Sequence, residues 1–154
     1  MIKGPKKTTK TKNDEIEKIK TKLSTSRKNT INGYGKKIYK HGNVYEGYFK
    51  DGDRSGYGII KYSGEDSGHV YKGSWKDYEK EGKGTYTWPS GDKYVGDWLN
   101  DKKHGYGVYT WANGDQYVGN WLKDSRHGYG KKTYKDFNWL LEKTGYWRND
   151  KFLG

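Results

Sequence analysis

Between Gly33 and Arg148 the chain alternates apolar and polar side chains rather than clustering them. In YVGDWL, Tyr94, Gly96 and Trp98 fall on one side of an extended strand, and Val95, Asp97 and Leu99 on the other. A polar loop, NDKK, returns the chain into HGYGVYTW, where Gly105, Gly107, Tyr109 and Trp111 share a side. Two period-two runs about a short polar loop predict a β-hairpin. The link ANGDQ contains Asn113-Gly114, the composition of a two-residue hairpin turn, so successive hairpins are expected to pair antiparallel.

The pattern repeats. Tyr-x-Gly-x-aromatic occurs at Tyr45-Gly47-Phe49, Tyr71-Gly73-Trp75, Tyr94-Gly96-Trp98 and Tyr117-Gly119-Trp121. Eleven residues after each of these tyrosines comes Gly-x-Gly: Gly56/Gly58, Gly82/Gly84, Gly105/Gly107 and Gly128/Gly130. The tyrosines are spaced by 26, 23 and 23 residues. A half unit at 33–44 (Gly33, Gly35, Tyr39, Gly42) precedes them, and a half unit at 143–154 (Gly145, Trp147) follows. Glycine inside a strand weakens it unless something approaches closely. Each Gly-x-Gly is therefore expected to make room for a Tyr or Trp ring of the adjacent unit. The prediction is all-β: residues 31–154 form an elongated single-layer antiparallel sheet of stacked hairpin repeats. At ~4.8 Å per strand, roughly ten strands span about 45–50 Å.

The same residues resemble the MORN (membrane occupation and recognition nexus) repeat, in which Tyr-x-Gly-x-Trp is followed by His-Gly-x-Gly. The resemblance covers about residues 33–149 and is closest in the units from Tyr94 and Tyr117, with His104-Gly105 and His127-Gly128. Phe49 stands in place of Trp, Ser55 and Glu81 in place of His, and Glu65, Asp66 and Ser67 look like an insertion. DFNWLLEK, after Tyr134, leaves the pattern. The resemblance implies a stack of MORN β-hairpin repeats and a role in organising cytoskeletal or membrane-junction assemblies. Such repeats also accompany lipid kinase and methyltransferase domains; this chain contains no such domain sequence, so an enzyme would be a separate subunit.

Composition changes the picture in two respects. Leu, Ile, Val and Phe together number only 21 of 154 residues, which with a net charge of +12 would read as disorder. Seven Trp and 16 Tyr reverse that reading, because each ring buries roughly 150–250 Å². Charge is also uneven: residues 1–30 carry ten Lys and Arg against three acids. This basic tail begins with a stretch expected to be disordered. It continues into a short helix at 14–24, started by Asp14 with Glu17 and carrying Ile16, Ile19 and Leu23 on one face. There is no Cys, no signal-peptide apolar region in MIKGPKKTTK and no apolar run of membrane-spanning length. The expected setting is intracellular and cytoplasmic, with cytoskeletal or peripheral membrane association.

Several motifs are decoys. DGDRSGYGIIKY opens like a calcium loop, but Tyr62 occupies the twelfth position where a Glu is needed. No Gly-x-Gly continues into a nucleotide-binding fingerprint. His104 and His127 read as turn residues rather than metal ligands. No nucleophile, base and oxyanion set converges, so neither an enzyme nor a cofactor is expected.

The expected site is a protein-partner groove on the aromatic face, formed by Tyr71, Trp75, Trp88, Tyr94, Trp98, Tyr109, Trp111, Tyr117 and Trp121 and receiving a peptide or helix. The alternative is an anionic membrane surface bound by Lys3, Lys6, Lys7, Lys10 and Lys12 of the tail with the loop lysines Lys102 and Lys103. A homodimer through unpaired strands of the terminal repeats is a further expectation, with Phe152 and Leu153 either capping that end or joining two copies. The tail's charge suits nucleic acid without sequence preference, and nothing points to specific nucleic acid recognition.

Overall fold

In a computed structural model, which describes residues 30–135 and 140–154, eleven strands form one antiparallel sheet in strict chain order. They are β1 (Gly33–Ile38), β2 (Val44–Lys50), β3 (Asp53–Lys61), β4 (Val70–Lys76), β5 (Glu79–Thr87), β6 (Lys93–Leu99), β7 (Lys102–Thr110), β8 (Gln116–Leu122), β9 (Ser125–Lys135), β10 (Leu140–Arg148) and β11 (Lys151–Phe152). The chain divides into units Met1–Ile31 and Asn32–Gly154, the second containing the sheet. The helix expected over 14–24 lies outside the described residues. The insertion at Glu65–Ser67 takes up a short 3-10 turn, Gly64–Asp66. Pairing of β9 with β10 resumes at Lys135↔Leu140 and runs to Gly128↔Trp147, so the departure after Tyr134 does not disrupt the last half unit.

Glycine organises the register. Gly35, Gly47, Gly58, Gly73, Gly84, Gly96, Gly107, Gly119, Gly130 and Gly145 pair successively, one per strand from β1 to β10. Each repeat tyrosine lays its ring on two of them: Tyr94 covers Gly96 and Gly107 of its own hairpin. A Cβ at Gly96 would stand 2.6 Å from both Gly107 Cα and Tyr94 Oη. The ring thus comes from the same unit, not from the adjacent one as the spacing suggested. What the next unit supplies is its tryptophan. Trp75, Trp98, Trp121 and Trp147 donate Nε1–H to the carbonyls of Gly58, Gly84, Gly107 and Gly130, at 3.1–3.3 Å.

The first glycine of each Gly-x-Gly has a different task. Gly56, Gly82, Gly105 and Gly128 have φ of 56–73°, where the strand bulges opposite the Gly-x-aromatic segment. Such a bulge needs a left-handed residue, which glycine supplies at little steric cost. Near each bulge the hydroxyls of Tyr45, Tyr71, Tyr94 and Tyr117 donate to the carbonyls of Tyr48, Ser74, Asp97 and Asn120 at 3.0–3.1 Å. The buried hydroxyl is thereby satisfied, as burial of a tyrosine requires.

The turns alternate between two types. Five two-residue turns have positive φ at both centres, such as Asn100 (49°) with Asp101 (63°), the geometry that follows the sheet's own twist. Asn113-Gly114, expected to be one of these, belongs instead to a three-residue loop. There the N–H of Trp111 donates to Asp115 and that of Gly114 to Trp111, with only Gly114 left-handed. The Tyr39–Asn43 and Trp88–Asp92 links repeat this pattern. Carboxylates at both ends staple neighbours together: Asp101, Asp124 and Asp150 accept from the N–H of Lys80, Lys103 and Arg126. At the other end Asp92 and Asp115 accept from the N–H of Ala112 and Lys135.

Two substitutions separate the glycine roles. Gly105→Ala should destabilise by about 1–2 kcal/mol, through backbone strain and a Cβ placed 2.8 Å from Asp97 Oδ2, with none of its three closest atoms in the Tyr94 ring. Gly107→Ala should destabilise by about 3 kcal/mol, because all three closest atoms to the new Cβ belong to the Tyr94 ring. In a Tyr94→Leu background the Gly107→Ala penalty should fall sharply, while that of Gly105→Ala persists. Urea-unfolding midpoints of the singles and doubles check this; purely additive effects for the 94/107 pair would contradict it.

Candidate functional site

One face of the sheet carries a continuous aromatic column. Within units, Tyr45–Phe49, Tyr71–Trp75, Tyr94–Trp98 and Tyr117–Trp121 meet edge to face at 5.0–5.2 Å. Between units, Tyr45–Trp75, Tyr71–Trp98, Tyr94–Trp121 and Tyr117–Trp147 do the same at 5.3–5.5 Å. Such pairs contribute about 0.5–1.5 kcal/mol each beyond area burial. Phe152 packs on Trp147 at 5.0 Å, and the Gly154 carbonyl accepts from the Tyr146 N–H, so the C-terminal residues cap this end.

This column accounts for six of the nine residues expected to line a groove. Tyr71, Trp75, Tyr94, Trp98, Tyr117 and Trp121 are buried, none more than 5% exposed, because each tyrosine lies on its own unit's glycines and each tryptophan stands nearly perpendicular against it and against the preceding unit's tyrosine. They are core rather than open surface. A single layer buries an aromatic face within itself when glycines let the rings lie down. Trp88, Tyr109 and Trp111 remain half-buried, with Tyr62 and Tyr86 beside them. They form a strip of touching rings: Tyr62–Tyr86 at 6.2 Å, Tyr86–Trp88 at 4.5 Å, Trp88–Tyr109 at 5.2 Å and Tyr109–Trp111 at 4.7 Å.

Cations line the same face. Arg54, Lys80, Lys103 and Arg126 occupy equivalent positions nine residues after each repeat tyrosine and sit over Trp75, Trp98, Trp121 and Trp147 at 4.3–5.2 Å. Lys102 and Lys103, expected in a loop, both belong to β7. Lys102 is exposed, whereas Lys103 lies half-buried between Trp121 and Tyr109. Burial pushes the Lys103 ammonium below the ordinary lysine range. Lys132, which periodicity did not single out, stands 4.3 Å over Trp111 and 4.4 Å over Tyr134. Neither Lys103 nor Lys132 has a carboxylate within ion-pairing distance among the described residues. Lys3, Lys6, Lys7, Lys10 and Lys12 lie outside the described residues.

The two histidines are strand residues at the bulges, not turn residues: His104 is in β7 and His127 in β9. The His104 carbonyl receives a second, 3.4 Å contact from Tyr94 Oη. His69 takes over the role that Asp92 has one unit later: its Nδ1 meets Tyr86 Oη at 2.9 Å, as Asp92 Oδ2 meets Tyr109 Oη at 2.8 Å. The DGDRSGYG segment forms the Asp51-Gly52 turn and strand β3. No helix among the described residues is long and apolar enough to cross a membrane.

The opposite face is built differently. Tyr34, Tyr48, Tyr57, Tyr106, Tyr129 and Tyr146 are all at least half exposed there. Tyr57 and Tyr106 flank a shallow trough of about 370 Å³ over Gly73, Gly84, Gly96 and Gly107, and Tyr106 and Tyr129 a second of about 470 Å³ over Gly119 and Gly130. These tyrosines occupy the middle position of Gly-x-Gly or the position before Phe49 and Trp147. Alternation places them on the face away from the core.

In comparison with known proteins, the chain matches the MORN repeat at residues 45–67, 71–93, 94–116 and 117–139, more than half its length. No curated protein matches it.

Burial raises the hydroxyls of Tyr45 and Tyr117 to about 12, with Arg54 and Arg126 acting in the opposite direction. A folded pKa above the unfolded value means these groups contribute stability fully below pH ~10 and lose it as pH rises toward 12. A spectrophotometric titration should therefore show a group of tyrosines that ionises only near 12, together with loss of the β circular dichroism. A single transition near 10 with the fold retained would contradict the burial of these rings.

Proposed function

The chain belongs to the MORN repeat family, and we propose that its sheet is a non-catalytic scaffold which docks an extended or helical segment of another protein. The docking surface is the half-open strip of Tyr62, Tyr86, Trp88, Tyr109 and Trp111. One observation carries this reading: these rings touch one another at 4.5–6.2 Å yet keep an open side, next to Lys103 and Lys132. Preordered aromatic rings lose little conformational freedom on binding and are frequent interface anchors. Lysines held over the rings favour a partner segment that carries carboxylates between its apolar anchors.

The alternative, an adaptor for anionic membranes, is supported by the charge of residues 1–30, ten basic against three acidic, and by the exposed Lys102. Association of two copies through terminal strands is a separate possibility. It is supported by β1, which ends the sheet, and by β11, which pairs only with Trp147 and Arg148 of β10.

The readings separate by variant and salt. Acidic amphipathic peptides selected from a displayed library against the full chain should lose at least ~10-fold in affinity for a Trp88→Ala/Trp111→Ala variant of unchanged melting temperature. Replacing Lys3, Lys6, Lys7, Lys10 and Lys12 with Gln should leave that affinity intact. Flotation with phosphoinositide-containing vesicles, lost in the lysine variant and at raised salt, together with peptide binding indifferent to the tryptophans, would favour the membrane reading instead.

A further inference from the structure

The face opposite the aromatic core has its own ligand chemistry. Tyr57 and Tyr106 stand at either end of the trough of about 370 Å³, 50% and 55% exposed. Neither ring makes a contact with another ring or with a cation among the described residues, so both present open π faces. The floor between them is bare backbone, because the side-chain direction of Gly73, Gly84, Gly96 and Gly107 is toward the core. Lys72 and Lys83 are in its walls. Past Tyr106 the trough continues to Tyr129 and Lys131.

This surface is also positive. Its register brings Lys36, Lys61, Lys72, Lys83, Lys93 and Lys131 to the face that bears Tyr57 and Tyr106. Of its carboxylates, Asp97 pairs with Lys83 and Glu142 with Lys131, each at 2.5 Å, and Glu46 accepts from Tyr34 Oη at 3.0 Å. Lys61, Lys72 and Lys93 have no ion-pair partner among the described residues.

We propose that this trough binds single-stranded nucleic acid, with bases stacking on Tyr57 and Tyr106 and phosphates on Lys72 and the unpaired Lys61 and Lys93 of the same face. Open aromatic faces along a cationic groove are the two elements by which proteins hold single strands without reading sequence. The described path from β3 to β9 is six strand steps, about 29 Å, long enough for several nucleotides. Every nucleotide of a single strand carries both a π face for the rings and a phosphate for the lysines, which is why the nucleic acid is favoured. The site shares no residue with the proposed protein-docking strip and does not depend on it.

The test is fluorescence anisotropy of the full chain with a labelled oligouridylate longer than the trough, at fixed salt, and with labelled heparin as a polyanion lacking bases. Tyr57→Ala/Tyr106→Ala should weaken oligouridylate at least ~10-fold and leave heparin within about twofold, whereas Tyr57→Phe/Tyr106→Phe should bind like wild type. Lys72→Glu, which leaves both rings in place, should weaken oligouridylate and flatten its salt dependence. The proposal is overturned if the full chain does not bind oligouridylate, or if the Ala pair binds it as wild type does. It is equally overturned if the Ala pair loses heparin in proportion, or if polyglutamate binding, rather than oligouridylate binding, is what the Ala pair loses.

Discussion

Everything in this sheet depends on one contact: a tyrosine ring lying flat across two glycines on neighbouring strands. The contact fixes which residues must be glycine, since a Cβ at Gly107 would enter the Tyr94 ring. It brings the ring low enough for two tryptophans to close on its edges, one from its own unit and one from the next. Each tryptophan then hydrogen-bonds the carbonyl of the preceding unit's second glycine, as Trp121 does with Gly107. A sheet normally buries one face against a second layer. Here the rings and glycines together replace that layer, which is how a chain so poor in aliphatic side chains has a core.

The contact also determines what remains for function. Rings committed to the column are not available to a partner, so the exposed aromatic surface moves to Trp88, Tyr109 and Trp111 near the three-residue loops. The glycine row that receives the Tyr94 ring on the core face also lines the trough on the far face. Core, docking strip and trough are three consequences of the same repeat. Their chemistry differs because one face collects rings with cations over them, and the other leaves Tyr57 and Tyr106 without a ring or cation contact among the described residues.

Much of this was legible in the sequence. Strict alternation in YVGDWL and the constant offset from Tyr to Gly-x-Gly identified the hairpins, their order and the single layer. The distinct tasks of Gly105 and Gly107 were not legible, because periodicity registers both as gaps in one face and carries no φ value. The same limit hid the ring's origin: spacing shows that a glycine row and a ring must meet but not which unit the ring comes from. Asn113-Gly114 misled because its local composition suits a two-residue turn, whereas the Trp111–Asp115 pairing requires three residues between them. For the site, alternation shows which aromatic residues share a face, but which rings stay open depends on how far the next tryptophan reaches. That is a property of packing, not of pattern.

If each unit meets its neighbours through the same Tyr–Gly–Trp relay, units should be interchangeable. Deleting residues 94–116 joins Lys93 to Tyr117 and should let Trp121 dock on Tyr71 and Gly84 as Trp98 does now. The account predicts a cooperatively folded protein with the β signature retained and a urea m-value reduced in proportion to the surface of one unit. Loss of cooperative unfolding, or a tryptophan left in a solvent-exposed emission environment, would contradict it.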